Sequence, residues 1–325
     1  MKKRHLLRAL APLMLSLPFA ALAEEPAKVE FIRVDEDAAA ARLQTALTRY
    51  EKDGVTVDLI GAIHIADKAY YQDLNRRFAG YDSLLFEMVG GEKFGRQQAA
   101  AKEGDDPQVP ADKAKDRDGK PEDDKPKDEK KEAGQSALHQ IYKMVATFLG
   151  LTGQVDQIDY NQPNFVHADL TQAEFDKMQR ERGESLLGFA LKAAKEGQAQ
   201  GTQPDPAKLL EAMLSGKSNL VKLEIVHTLG QGDDQIGALA GESVILTDRN
   251  ARCLEVLARE VKTGTKNLGI FYGAAHFSHL SKQLEEQGFK RAHQEWLTAW
   301  DIPKPKKAPK EEPAPEAADE EKQAA

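Results

Sequence analysis

Two histidines in this chain sit in matching surroundings. His64 lies in VDLIGAIHIADKAYYQDLNRRF and His276 in NLGIFYGAAHFSHLSKQL; each follows an apolar run and the tripeptide Gly-Ala-x, and each precedes an amphipathic stretch. With 24 Gly and 8 His in 325 residues, chance supplies about 0.6 Gly-x-x-His pairs. One copy is therefore uninformative, whereas two copies at two strand-to-helix junctions are not. Glycine at such a junction lets the backbone turn sharply or lets a ligand come close. In open α/β sheets, ligands bind beyond the carboxyl ends of the strands. If the two strands are neighbours, His64 and His276 face one crevice. A third apolar run, YDSLLFEMV, carries Glu87 near its end. A carboxylate there needs a partner, or it carries a large desolvation cost. Two imidazoles and one carboxylate are the ligand set of a catalytic divalent-metal centre with open positions.

The other chemistry-bearing residues have plainer readings. His279 follows His276 in HFSH and is either a further ligand or a surface histidine behind the first. Tyr272 reads as strand core, and Trp296 and Trp300 as core or edge-strand packing. His167 and Asp169 in NFVHADLT precede a helix whose capping Asp169 could join; the alternative for either is a place beside the site. Cys253, mid-helix in RNARCLEVL, reads as a buried structural thiol, and a lone cysteine allows no internal disulfide. Gly-x-Ser-x-Gly, His-Glu-x-x-His, phosphate-loop and dinucleotide signatures are missing from the sequence.

The elements that must position these residues fall into blocks. Residues 1–23 have a basic start, a short apolar centre and the ending Ala21-Leu22-Ala23, the pattern of a signal peptide cleaved after Ala23. An uncleaved anchor is the alternative. The expected setting is a bacterial periplasm or the exterior. Losing Lys2, Lys3, Arg4 and Arg8 moves the formal net charge from −8 to about −12. That acidity, with no basic stripe, excludes nucleic acid and anionic membrane surfaces as natural partners.

The block 24–90 reads strand 29–34, helix 36–51, strand 55–60, helix 67–78 with Asp67 as its cap, and strand 83–89. Residues 91–134 and 303–325 are nearly all charge, Ala, Pro and Gly, with too little apolar surface to offset the entropy of ordering. The region 135–230 is mostly helical. Its first helix carries Leu138, Ile141, Val145 and Phe148 near the helical period, and Thr171 and Glu174 make a capping box in a later one. The block 231–302 reads helix 243–261, strand 267–272, helix 276–286 and strand 289–300. The fold class is α/β: a mixed sheet flanked by helices, the strand–Gly-x-x-His–helix device repeated, and a mostly helical region inserted.

The motifs GAIH, LFEM, TDRNARCLEVL and GAAH, in this order, resemble the TraB/GumN family, which is related to the TIKI metalloproteases. The resemblance spans residues 29–300 apart from the charged insert, which is a departure from the family pattern. It implies metal-dependent hydrolysis of a peptide or small-molecule substrate, with manganese or cobalt first and zinc or iron as other options. Carried over residue by residue, it puts His64, Glu87 and His276 at metal or general-base positions, with Arg249 nearby. Arg249 would either hold Glu87 or stabilise an oxyanion. Two other readings stand beside the hydrolase. One is a binding protein that captures a haem-like cofactor or a peptide signal, as the distantly related ChaN group implies. The other is a scaffold acting through its charged tails. The sequence leaves the oligomeric state open.

Overall fold

The computed structural model describes residues 29–96, 143–185, 206–229 and 243–305, with 188, 192 and 195. Most of the expected charged insert, the end of the tail and the amino-terminal segment lie outside the described residues. Among the described residues, no helix is long and apolar enough to cross a membrane.

The chain begins with β1 (Ile32–Glu36), β2 (Ala40–Lys52) and β3 (Val55–Ala62), paired antiparallel in turn. The β2–β3 hairpin turns on Asp53 and Gly54, with φ of 50° and 77°; both central residues need the left-handed region, the property that Asp-Gly supplies. After β3 come β4 (Ile65–Ala66), α1 (Lys68–Phe78) and β5 (Ser83–Phe86). Beyond the insert, a helical stretch over 143–149 leads to β6 (Thr152–Gly153), α2 (Gln154–Gln157), β7 (Phe165–His167) and α3 (Gln172–Arg182). Then follow α4 (Pro206–Leu214), α5 (Ser218–Leu229) and a wide π turn, Val244–Asp248, that runs into α6 (Arg249–Lys262). The described chain closes with β8 (Asn267–Gly273), a 3-10 turn (Ala274–His276), α7 (Phe277–Glu286) and β9 (Lys290–Pro303).

These strands form one mixed, seven-stranded sheet in the order β1-β2-β3-β8-β5-β7, with β9 also paired to β2. The four strands β3, β8, β5 and β7 run parallel. Each is buried on both faces, so each reads as a continuous apolar run rather than an alternation. Along them the side chains divide between two cores. Ile60, Leu84, Phe86, Phe165 and Phe271 join Tyr70, Tyr71, Leu74 and Phe78 of α1. Leu59, Leu85, Val166, Ile270 and Tyr272 join α6 and α7 through Val256, Leu257, Phe277 and Leu280. Helices therefore cover both faces, as expected for an α/β protein.

The expected helix over 36–51 is corrected by the structure: those residues form most of β2. Alanine-rich EDAAAARLQTALTRYE favours a helix locally. Here β2 pairs β9 along nearly its whole length, and β1 and β3 in turn along its two halves. Its side chains are buried on both faces, with Leu43 and Leu47 in one core and Ala46 and Tyr50 in the other. Pairing and burial outweigh propensity. The phase of the helix over 143–149 also differs: Ala146 and Leu149 are buried, while Val145 and Phe148 face outward.

The capping box forms as expected, with Thr171 Oγ1 accepting from the Glu174 amide and Glu174 accepting from the Thr171 amide. Asp67 precedes α1 but does not cap it; its carboxylate accepts the Asp301 amide of β9 at 2.7 Å.

Candidate functional site

The parallel strands deliver the candidate residues to one edge. In register, Ala62 faces Gly273 across β3 and β8, Phe86 faces Phe271 across β5 and β8, and Phe86 faces His167 across β5 and β7. His64, Glu87, Asp169 and His276 each follow one of these carboxyl ends within a few residues.

The loop bearing His64 is fastened through its carbonyls. Tyr70 donates its hydroxyl to Gly61 O, Tyr71 to Ile63 O at 2.7 Å, and Trp300 its indole N–H to Ile65 O at 2.7 Å. The Gln154 amide donates to His64 O at 2.8 Å. Buried phenols whose pKa is raised by burial, as at Tyr70 and Tyr71, stay neutral donors. Apolar side chains with a polar tip therefore set the backbone path: Trp300 packs in the core, and its indole N–H reaches the loop.

The two glycines serve by leaving space, not by backbone freedom. A Cβ on Gly61 would meet Thr45 Cβ at 3.0 Å and Ala46 O at 3.3 Å on β2. At Gly273, with φ −51°, a Cβ would meet Glu87 Oε2 at 3.3 Å. The space beside β8 thus belongs to the Glu87 carboxylate, which accepts the Gly273 amide at 2.6 Å.

Glu87 is the centre of the cluster. Its other oxygen accepts Arg249 Nη2 at 2.6 Å and lies 3.6 Å from His276 Nε2. Burial pushes the Glu87 carboxyl upward, but Arg249, then His276, with a smaller pull from His64, hold it well below the usual carboxylate range. Arg249 is held in turn by buried Asp169, through Nε at 2.9 Å and Nη2 at 2.7 Å, and its Nη1 donates to Ile245 O at 3.3 Å. With its donors engaged this way, Arg249 takes the first of its two expected roles and holds Glu87. The π turn before α6 sets it there, the Asp248 amide reaching back to Ser243 O.

His276 is buried and its ring is oriented. Nδ1 faces Asn250 Oδ1 at 2.6 Å, and the Asn250 amide nitrogen donates to His276 O at 3.2 Å and to His279 Nδ1 at 3.1 Å. That pattern fixes the amide, so Nδ1 donates to Asn250 and Nε2 faces Glu87. Tyr272 packs edge-on against the ring, with centroids 5.2 Å apart. His279 stands behind Asn250, and burial lowers its pKa. His64 is exposed, with Nδ1 3.3 Å from Gln154 Oε1. The Gln154 amide nitrogen is anchored on Tyr160 Oη at 2.8 Å.

The structure therefore joins Glu87, Arg249 and His276 directly, and sets His64 at the rim. It brings Asp169 into the cluster and adds Asn250. Asp169 was readable as a cap, yet Thr171 caps that helix; the stronger signal was an acidic residue just beyond an apolar strand, as at Glu87. Asn250 had no local signal, because its partner His276 lies on another element. His167 is turned aside, donating to Met88 O at 2.7 Å. Cys253 is buried and its thiol pKa is raised, as expected of an inert thiol.

A divalent cation on the expected ligands would need Glu87 with both histidines. Both Glu87 oxygens are already engaged, and among the described residues no three His, Cys, Asp or Glu side chains converge as a ligand set. As placed, these side chains are arranged around the Arg249 guanidinium. Fold and site define a mixed α/β protein with a carboxylate–guanidinium–imidazole cluster at the carboxyl edge of its parallel strands. No family model matches the chain, and no curated protein or solved structure matches it.

Proposed function

We propose that the crevice is a hydrolytic site of the TraB/GumN kind, acting on a peptide or a similar amide in the periplasm or outside the cell. The observation that carries this reading is the pairing of an oriented imidazole, Nδ1 held by Asn250, with a carboxylate kept ionised beside its Nε2. Glu87 held so far below the ordinary range is a poor proton acceptor and a good fixed charge. The base is then His276.

In the step that follows, water oxygen bonds to the scissile carbonyl carbon and its proton passes to His276 Nε2. The C–N bond breaks, and the imidazolium returns the proton to the leaving amine. Glu87 and Asp169 carry two negative charges against one on Arg249. The surplus negative charge lies where His276 becomes positive, so it favours the transition state more than the ground state.

Metal dependence, which the resemblance implies with manganese or cobalt, is a second reading. It is favoured by one feature: a carboxamide oxygen faces Nδ1 of both His64 and His276, leaving each Nε2 for another partner. The test is turnover of a quenched-fluorescent peptide library, with chelator or with added Mn or Co, alongside elemental analysis. His276→Ala should abolish turnover, and the Asn250 oxygen it leaves without a donor should cost about 1–3 kcal/mol, so the variant still folds at 25 °C. Turnover surviving chelation supports the base mechanism. Turnover that is lost with chelator and restored by metal, with metal content falling in His64→Ala/His276→Ala, supports the second reading. No turnover in any condition, with stoichiometric uptake of a cofactor or peptide, would leave the binding-protein reading.

A further inference from the structure

Gln154, which holds His64, also lines a second space. A cavity of about 430 Å³ opens beside His64, bounded by the helical stretch 143–149 and the segment that carries β6 and α2. Its apolar wall is aliphatic, made by Ile65, Ala146, Leu151 and Val155. Lys143 and Asp156 also line it, and their opposite charges leave no net preference for a charged ligand. The hydrolytic step does not use this space.

Its position is informative. His64 lies in the cavity wall, and two residues before it Ala62 pairs with Gly273, whose amide holds Glu87. The cavity thus borders the rim of the crevice at His64. Ligand pockets commonly measure about 300–1,000 Å³, so the space suits more than one aliphatic side chain. On the same helical stretch, Met144 and Phe148 remain 67% and 44% exposed, an apolar surface that an extended segment could cover.

We propose that this cavity is the recognition subsite of the crevice, taking uncharged aliphatic side chains of the peptide segment on which the site acts. The assignment of the acted-on segment rests on the hydrolytic reading; occupancy of the cavity can be measured without turnover.

The probe is N-phenyl-1-naphthylamine, a neutral apolar fluorophore, with the full-length mature protein. We expect saturable uptake of one probe per chain, displaced by acetyl-Leu-Leu-amide and at least about tenfold less well by acetyl-Ser-Ser-amide, the discrimination that burying aliphatic side chains supplies. Thr147→Trp should fill the cavity and Val155→Asp should charge its wall. Both positions are exposed, and the Thr147 hydroxyl bonds only within its own helical turn, so the fold should persist. Each variant should weaken probe uptake about tenfold, whereas His276→Ala should leave it unchanged. Absence of saturable uptake, uptake unaffected by both cavity variants, or equal displacement by the seryl and leucyl amides overturns the assignment. Uptake that behaves as expected, with no amide cleaved in any condition, sustains the cavity as an aliphatic subsite and overturns the hydrolytic reading alone.

Discussion

Replacing Arg249 with methionine tests the central electrostatic claim. The Arg249 side chain is 11% exposed, and it bridges Glu87, 14% exposed, and Asp169, fully buried, at 2.6 and 2.7 Å. Methionine fills much of the same volume but leaves two carboxylates facing each other without their cation. Removing one partner from a buried ion pair typically costs about 3–5 kcal/mol at neutral pH. At about 2–4 °C per kcal/mol for a domain of this size, Tm should fall by roughly 6–20 °C. The pH dependence makes the test specific. In the native protein Glu87 titrates below its unfolded value of 4.5, so its contribution is present above that value and is lost as pH falls through the folded one. In the variant, burial acts on Glu87 without the guanidinium, and the folded pKa moves above the unfolded one. The penalty is then fully present at high pH and fades as pH falls toward 4.5. Calorimetric melts at pH 8 and pH 5 should show a large Tm gap between variant and native protein at pH 8 and a smaller one at pH 5. A gap of the same size at both pH values, or a negligible one at pH 8, would refute the reasoning. Arg249→Lys should recover only part of the loss, because one ammonium cannot reproduce the fork that spans both carboxylates.

The two motif glycines should separate by phenotype. Gly273→Ala should lower turnover at least about tenfold with little change in Tm, since its Cβ presses only on the Glu87 carboxylate. Gly61→Ala, pressed against the β2 backbone, should instead cost about 1–3 kcal/mol in denaturant unfolding. Asn250→Leu should cut kcat about 10–100-fold and shift the acidic limb of its pH profile, because His276 loses the acceptor that fixes its tautomer; an unchanged profile would mean that Asn250 only fills space. Thr171→Ala should cost about 1 kcal/mol through the lost cap, with turnover unaffected.

Much of this arrangement was legible because the parallel strands are buried on both faces. LLF and NLGIFYG have no polar alternation that could be mistaken for anything but a buried strand, and the glycine after each apolar run marks its end. That was enough to bring His64, Glu87 and His276 to one sheet edge. The strand over 40–52 was misread because alanine propensity is a local signal, whereas pairing with β1, β3 and β9 is not. Asp53-Gly54, a strong hairpin signal, pointed the other way. The helix over 143–149 was read with its phase off by one residue. Its buried face is chosen by the loop it meets, which periodicity within the helix cannot supply. Asn250 and the clamping role of Asp169 were illegible for the same reason: their partners come from other elements.

The matched motifs do not imply matched roles. Gly61 is closed in by β2, and the carbonyls around His64 are held by α1, β9 and Gln154, so the first motif builds a rigid rim. Gly273 makes room for Glu87, and His276 turns inward against Asn250, so the second motif builds the centre. What joins them is the strand order β3-β8-β5-β7, which sets β5 between two strands that come after the charged insert. Glu87 precedes the insert, whereas its anchors Arg249 and the Gly273 amide follow it. Glu87 therefore has its cation only with α6 in place, and its amide donor only with β8 docked against β5. Until then, a carboxylate bound for the interior has no partner in the first block. The ion pair that holds Glu87 ionised, with the Gly273 amide, therefore also ties the strand before the insert to α6 and β8, which come after it.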